Sequence, residues 1–415
     1  MKYGIVVYKE TANIGDDIQC VAAEQFLPQV DVELDREFLH EVESDEPIAC
    51  IMNGWWLHRK WNWPPANCLR PLFVAYHYAD YEKAQFYGHY LKNQFIDNGL
   101  GMEYFKAWGP VGCRDSNTHE LMQKLGIDSW FSGCMTLTLP QMEKIPQEKK
   151  YICFVDLNPR AAQPLMEKAA DEGIEVRTMT HAITPYAPEV PWSERSAKAK
   201  ELLTIYQNAT CVVTSRLHCA LPCLALGTPV LLVRPDLDNI RFQPFTQWLH
   251  TATVDDALEG RVDYSFIDPP ANNGGHIPTR EKLIETCKNF IAHAGELEEK
   301  FTPTEVERLR WSDAVMRQQL EENLSHYRDD MVAHAKEVAA LKREIAAMEK
   351  KGRKPAKAEK PAPKAEKPVK AAPAAAPASR QQTLNLAYKG EIGPRFLMKC
   401  TAKWFKGKMN RMFKK

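Results

Sequence analysis

The stretch Cys211–Arg234, CVVTSRLHCALPCLALGTPVLLVR, decides how the rest of the chain is interpreted. It begins and ends with short apolar runs, Cys211–Thr214 and Pro229–Val233, which predict buried parallel strands. The apolar segment between them, Ala220–Leu226, predicts a helix that ends at Gly227. The pattern of strand, turn, helix and strand is typical of an α/β fold.

The turn after the first of these strands carries Ser215, Arg216 and His218. Ligands of open α/β sheets bind beyond the carboxyl ends of the strands, where such a turn lies. An arginine fork beside helix N-terminal amides suits an anionic ligand, and a histidine can donate or shuttle a proton. The alternative is structural, with Arg216 capping a neighbouring loop and His218 satisfied within the core.

Strands and helices also alternate on both sides of this stretch. They predict two Rossmann-like domains, residues 1–145 and 146–300, joined by the polar linker Gln141–Lys150. Two such domains facing a cleft form the architecture of the glycosyltransferase-B type.

The first domain opens with a strand at Tyr3–Tyr8, a loop at Thr11–Asp17 and a helix at Ile18–Phe26. Its loop has one glycine and lacks the spacing of a dinucleotide-binding fingerprint. Further along, Asp115 or Ser116 is expected to cap a helix, and Ser132–Leu139 has a strand-like pattern.

A long helix is predicted over residues 302–350. Thr302 and Glu305 have the spacing of a capping box at its start. Its apolar positions alternate spacings of four and three, which predicts a coiled coil and a homo-oligomer. The alternative is a long helix lying on the globular body through the same stripe. The stripe comprises Leu320, Leu324, Tyr327, Met331, His334, Val338, Leu341, Ile345 and Met348.

The chain then becomes strongly basic, with 19 basic and 3 acidic residues from Lys350 onward in a protein of zero formal net charge. Residues 351–380 are rich in Lys, Pro and Ala and predict a disordered linker. Residues 381–415 predict a basic amphipathic helix with Trp404 and Phe405 on one side. Nucleic acid competes with an anionic membrane as its partner, and we favour the membrane because no stacking platform or recognition fold accompanies it.

Eleven scattered cysteines without a CxxC pair argue against a disulfide framework or a zinc site. Neither a signal peptide nor an apolar run of membrane-spanning length is evident. We therefore expect a cytoplasmic protein, peripherally associated with the inner face of the cell membrane, without a metal.

The segment Thr214–Val230, TSRLHCALPCLALGTPV, resembles the Ser-Arg-Leu-His motif of polysaccharide pyruvyl transferases. The likeness extends over roughly residues 1–250, and its other motifs follow in order. They are Asn13–Asp16, Asn53–Trp55, Gly112–Asp115, Leu125–Ile127, Ser132–Leu139 and Asp238–Phe242. Asn53–Trp55 departs from the more usual glycine run.

The resemblance implies a glycosyltransferase-B-like fold and transfer of a pyruvyl group from phosphoenolpyruvate to a sugar, forming a ketal. Phosphoenolpyruvate is the co-substrate, and no cofactor is expected. The second domain would bind this donor and the first the acceptor. Expected donor-binding residues are Arg216, Leu217, His218, Arg114, Ser215 and Arg241. Expected acceptor-binding residues are Asn13, Gly15, Asp16, Asn53, Gly54, Trp55, His77 and His181.

Two residues are candidates for catalysis. His218 is expected to protonate the donor or to donate to its phosphate. Asp16 is expected to accept the proton of the sugar hydroxyl or to orient the sugar, and the alternative is that it caps the helix at Ile18.

The predicted acceptor is a sugar of a capsule or exopolysaccharide precursor, and a lipid-linked oligosaccharide would explain the basic tail. One alternative function is a glycosyltransferase of the same architecture that uses a nucleotide sugar. The other is a non-enzymatic scaffold assembled by the coiled coil.

Overall fold

The computed structural model describes residues 1–55, 59–78, 85–86, 89–90, 98–141 and 143–350. The chain divides into two compact units, of which the first comprises Met1–Ala79 and Asn93–Val315 and the second Asp80–Lys92 and Met316–Lys415. The predicted linker and basic tail, residues 351–415, lie outside the described residues.

The first part of the chain forms a parallel sheet of six strands in the order β2-β1-β3-β4-β7-β8. The elements are β1 (Lys2–Val7), α1 (Ile14–Glu24), β2 (Val32–Asp35), β3 (Ile48–Trp55), β4 (Leu69–His77), the hairpin β5 (Gln85–Phe86) and β6 (His89–Tyr90), α2 (Gly99–Trp108), β7 (Val111–Cys113), α3 (Ser116–Lys124) and β8 (Ser129–Phe131). The hairpin belongs to the second unit.

The following part forms a parallel sheet of five strands in the order β10-β9-β11-β12-β13. The elements are β9 (Tyr151–Val155), α4 (Pro159–Asp171), β10 (Glu175–Met179), α5 (Trp192–Asn208), β11 (Cys211–Thr214), α6 (Leu217–Leu226), β12 (Val230–Arg234), α7 (Gln243–Thr246), β13 (His250–Thr253), α8 (Val254–Leu258), α9 (Ile277–Ala292) and α10 (Glu305–Lys350). The predicted α/β class, with parallel sheets and helices, is confirmed.

The two sheets share one hydrophobic core. Val7 of the first sheet and Val155 of the second belong to the same buried cluster, together with Ile18 of α1, Leu203 of α5 and Leu221 of α6. Parallel strands are covered on both faces, and β9 and β11 are accordingly buried along their whole lengths. Burial of this shared surface holds the carboxyl ends of the two sheets near each other.

Helix α6 explains why the Cys211–Arg234 stretch is so apolar. All ten residues of Leu217–Leu226 are buried, as expected for a helix that is hydrophobic all round. Gly227 ends it in the left-handed conformation, with φ of 72°. Pro222 lies inside the helix and has no N–H to offer the carbonyl of His218 one turn earlier. His218 is indeed non-helical, with ψ of 16°.

The start of one helix and the type of one element differ from the sequence predictions. Helix α1 begins at Ile14, not Ile18, because the side chain of Asn13 accepts a hydrogen bond from the amide of Gly15 and caps the helix. Asp16 therefore lies in the first turn, and the interpretation of Asp16 as the cap is wrong. The strand-like pattern at Ser132–Leu139 was also misread, since Gly133 has a φ of 67° and a 3₁₀ turn follows at Met135–Thr138.

The predicted caps of the later helices have mixed outcomes. Asp115 caps α3 by accepting from the amide of Thr118, as predicted. The box at the start of α10 is formed by Thr304 and Glu307 rather than Thr302 and Glu305. The helix starts after Pro303 because Thr304 reaches the amide of Glu307 at N3.

Within the second unit, α10 continues from Met316 to Lys350. Leu324, Met331 and Leu341 of the predicted apolar stripe are exposed on it. No helix among the described residues is both long and apolar enough to cross a membrane.

Candidate functional site

A polar cavity of about 260 Å³ lies at the carboxyl edge of the second sheet. Asn13, at the N-terminus of α1, is its contribution from the first sheet's side. The lining residues are Asn13, Asp156, His181, Ser215, Arg216, Leu217, His218, Arg234, Asn239, Arg241 and Phe242. The position agrees with the rule that ligands of open α/β sheets bind beyond the carboxyl ends of the strands.

The turn between β11 and α6 is braced by neighbouring groups. The hydroxyl of Ser215 donates to the carbonyl of Asp156 at 2.5 Å, and the amide of Arg216 donates to the hydroxyl of Thr214 at 3.0 Å. These bonds hold Arg216 at the helix N-cap, in extended conformation. Its side chain is 43% exposed, and its Nε donates to Asp156 at 2.9 Å. Neither of its terminal nitrogens donates to a described residue.

His218 is one of the buried side chains that line the cavity. It is 8% exposed, and its Nε2 has no hydrogen-bond partner within the described residues. Burial, followed by the charges of Arg114 and Arg241, holds its pKa well below the usual range. The imidazole is therefore neutral at physiological pH, and Nε2 is available to a ligand or to ordered water.

Two further arginines line the cavity and differ in their pairing. All three nitrogens of Arg234 already donate within the protein, Nε and Nη2 to Asp236 and Nη1 to the carbonyl of Ser215, which leaves one N–H on each terminal nitrogen. The guanidinium of Arg241 makes no hydrogen bond within the described part of the chain, and its Nε is buried. Among the described residues of the cavity, Arg241 and Arg216 therefore have more side-chain donors available than Arg234.

The cavity is lined chiefly by loop ends and helix N-termini rich in donors. A larger, mainly apolar groove of about 690 Å³ lies along α4 and β10 and shares Asp156 with it. We assign the chemistry to the smaller cavity, because it holds the arginines and the unsatisfied histidine nitrogen, and anion recognition needs such donors.

A comparison with protein families identifies the family of the chain. The family described as polysaccharide pyruvyl transferase matches residues 13–236, which include Asn13 and the Ser215–His218 turn. The chain belongs to this family. Membership implies a transferase that acts in pyruvyl transfer to a polysaccharide.

Other comparisons are distant. No curated protein matches the chain. Among solved structures, an uncharacterized protein from Klebsiella pneumoniae subsp. pneumoniae is similar at 15% identity, over 60% of this chain and 91% of that chain, with a TM-score of 0.34.

In this pyruvyl transferase family member, the structure brings together most of the predicted donor residues. Ser215, Arg216, Leu217, His218 and Arg241 all line the cavity. Arg114 does not line it. It follows β7, is 1% exposed, and acts on His218 through its charge.

The predicted acceptor residues are more dispersed. Asn13 and His181 line the cavity, and Gly15 packs behind it, since a Cβ on Gly15 would lie 3.1 Å from the Cβ of His218 and 3.2 Å from His181 Nδ1. Asp16 accepts from the hydroxyl of Thr11 at 2.6 Å and is not among the lining residues.

The residues at the ends of β3 and β4 also lie outside the lining. Asn53 donates to the carbonyl of Gln19 at 3.3 Å, and Gly54 has a φ of 105° that a side chain would strain. Trp55 ends β3, but its side chain is outside the described part. His77 is buried, with its Nδ1 2.5 Å from the carboxylate of Asp115.

Sequence reasoning missed Asp156 and Arg234. Asp156 comes directly after β9 and Arg234 is the last residue of β12. The rule that ligands bind beyond the carboxyl ends of parallel strands, which was applied to Ser215, could therefore have found them. A pair of backbone hydrogen bonds between loops of the two sheets was also missed. It joins the amide of Ile14 to the carbonyl of His181 at 2.9 Å and the amide of Ile183 to the carbonyl of Ala12 at 3.0 Å.

Acidification should destabilise the protein through His77. Burial and then the charge of Arg114 lower the pKa of His77 to about 3, whereas in the unfolded chain it titrates near 6.5. The unfolded state therefore binds a proton that the folded state does not. The contribution of neutral, buried His77 to the free energy of unfolding is present above pH ~6.5. It is lost as pH falls towards 3, by up to about 1.4 kcal/mol per pH unit.

Urea unfolding at pH 7.5 and pH 5.0 measures this effect. The wild type should lose stability at pH 5.0, and His77→Gln should lose less. An identical pH dependence in the two proteins would contradict the assignment of a buried neutral His77.

Proposed function

We propose that this protein transfers the pyruvyl group of phosphoenolpyruvate to a sugar of a surface-polysaccharide precursor. The observation that carries the proposal is the open edge of Arg216 and the unpaired guanidinium of Arg241 around one small cavity. Phosphoenolpyruvate has a carboxylate and a phosphate, so two arginines match its two anionic groups. At about 260 Å³ the cavity suits a small metabolite better than a drug-sized ligand.

The reaction balances with proton transfers at two places. Two sugar hydroxyl oxygens form bonds to C2 of the donor, and the bond from C2 to the phosphate oxygen breaks. One hydroxyl proton is matched by protonation of the donor methylene to a methyl group. The other leaves with phosphate or passes to solvent.

His218 is proposed as the proton donor in this reaction. It is neutral in the ligand-free protein because burial, and after it the charges of Arg114 and Arg241, lower its pKa. An anion bound at Arg216 and Arg241 offsets part of this positive charge, which raises the pKa of His218 and favours its protonated form. His218 then acts as the general acid, or donates to the phosphate. Asp16 remains our proposed acceptor-side group, held by Thr11.

A coupled assay tests the proposal. Phosphate release from phosphoenolpyruvate should depend on a glycan acceptor, and mass spectrometry should detect the pyruvate ketal on that acceptor. Lys198→Ala, on the exposed face of α5, serves as the control variant. Turnover of a nucleotide sugar instead, without phosphate release from phosphoenolpyruvate, would support the glycosyltransferase alternative and refute this proposal.

We also propose a glycosyltransferase-B-like layout, with residues 1–145 as the acceptor domain and 146–300 as the donor domain. The clustering of donors at the second sheet and of Asn13 and Gly15 opposite supports it.

The C-terminal part is proposed to gather the enzyme at its substrate. The exposed stripe of α10 supports a homo-oligomer by coiled-coil pairing, which sedimentation of the full chain tests. The basic segment 381–415 is proposed to bind the anionic inner face of the cell membrane, which would bring the enzyme to a lipid-linked acceptor. A chain ending at Lys350 should lose binding to anionic vesicles, and undiminished binding would refute this anchor.

A further inference from the structure

Asp156 receives more hydrogen bonds than its neighbours in the cavity wall. It follows β9 directly, and its carboxylate accepts from the hydroxyl of Thr180 at 2.6 Å, the amide of His181 at 2.8 Å and Nε of Arg216 at 2.9 Å. Its own carbonyl accepts from the hydroxyl of Ser215. One residue therefore joins the ends of β9, β10 and β11.

We propose that Asp156 is a positioning residue, which aims the guanidinium of Arg216 at the anionic donor. The inference rests on the proposed function and adds a residue to which no role has been given. Asp156 acts through Arg216 and not on the reacting atoms.

The geometry of Arg216 supports this role. Its side chain is 43% exposed and has many rotamers in solution, so a free Arg216 would lose conformational entropy on binding. The bond from Nε to Asp156 orients the guanidinium plane before the ligand arrives. It occupies one donor and leaves the Nη1 and Nη2 edge, which makes no hydrogen bond to a described residue, for a planar anionic group.

The neighbouring pair shows the contrast. Asp236 holds Arg234 through both Nε and Nη2, and the carbonyl of Ser215 takes Nη1. All three nitrogens of that guanidinium are engaged, so it chiefly braces the turn. Asp156 engages Arg216 through Nε alone, which keeps the ligand-facing edge open.

Asp156 is unsuited to act as a base. Both carboxylate oxygens already accept hydrogen bonds from the protein. Burial opposes ionisation, but the bonds from Thr180 and His181 and the charge of Arg216 together lower the pKa of Asp156. An ionised and occupied carboxylate orients its donors rather than taking a proton.

The backbone at this position selects the variant for the test. Asp156 has a φ of 49°, in the left-handed region that asparagine tolerates and alanine disfavours. Asp156→Asn therefore preserves the backbone and part of the hydrogen bonding, while it removes the charge that holds Arg216. Asp256→Asn is the matched control, since Asp256 lies on α8, outside the cavity lining, and its carboxylate also pairs with an arginine, Arg261.

Steady-state kinetics on the full-length protein tests the proposal. Asp156→Asn should raise the KM for phosphoenolpyruvate roughly tenfold, with a smaller change in kcat, because a ground-state contact to the donor is weakened. Asp256→Asn should leave both constants unchanged. In the Arg216→Ala background, Asp156→Asn should have no further effect on KM, because the group it positions is absent.

The outcomes separate this inference from the proposed function. A wild-type protein that neither binds nor turns over phosphoenolpyruvate would refute the function itself. A wild type that turns it over, with Asp156→Asn unchanged in KM or fully additive with Arg216→Ala, would refute the positioning role alone.

Discussion

Replacing Arg216 by alanine should lower kcat/KM for phosphoenolpyruvate by about 10²-fold or more, which is the loss expected for charge-assisted, bidentate hydrogen bonds to an anion. The guanidinium is aimed into the cavity by Asp156 and has two unused nitrogens. Arg216→Lys keeps the charge but loses the planar fork and the Nε contact, so only a small part of the activity should return.

Initial-rate kinetics with thermal unfolding as a companion measurement distinguishes this effect from misfolding. Arg216 is half-exposed, so its loss should leave the unfolding temperature nearly unchanged. An Arg216→Ala protein with wild-type kcat/KM would remove Arg216 from the donor site.

Replacing Asp17 by alanine should lower the free energy of unfolding by about 3–5 kcal/mol, the range for breaking a buried ion pair. Asp17 on α1 and Arg195 on α5 are both buried and paired, and Arg195 also donates to the carbonyl of Tyr8 at 2.9 Å. Burial raises the pKa of Asp17 only to about 6, so the carboxylate is ionised at pH 7.5 and its loss leaves a buried guanidinium uncompensated.

Urea unfolding at pH 7.5 measures this loss, and two variants calibrate it. Lys198→Ala breaks an exposed pair with Glu194 one turn away on α5 and should leave the free energy of unfolding almost unchanged, because solvent screens such pairs. The double replacement Asp17→Leu with Arg195→Met removes both charges and should recover much of the stability. A single Asp17→Ala variant as stable as Lys198→Ala would show that the pair does not hold α1 against α5.

Much of the fold could be predicted from local pattern. The apolar strand Cys211–Thr214 is found with the predicted bounds, and Gly227 ends the following helix as expected. These features depend on short-range chemistry, namely side-chain burial in parallel strands and the left-handed conformation of glycine. The start of α1 was missed by four residues because Asn13, rather than the acidic pair after it, is the cap.

The residues on the donor side of the site could be predicted in the same way, but the contacts between them could not. Ser215, Arg216 and His218 could be located because they follow a strand directly. Asp156 lies 60 residues before Arg216 along the chain, and their contact exists only once β9 and β11 are paired. Arg241 and Arg234 cannot be told apart from the sequence. Only the position of Asp236 in the structure shows that Arg234 is paired with a carboxylate and that Arg241 is not.

The most direct test of the central claim is calorimetric titration of the full-length protein with phosphoenolpyruvate in the absence of acceptor. The account predicts saturable binding to one site per chain, lost when Arg216 and Arg241 are both replaced by alanine. It also predicts proton uptake on binding, because the anion raises the pKa of His218. Absence of binding, or binding that survives the double replacement, would contradict the assignment of this cavity to the donor.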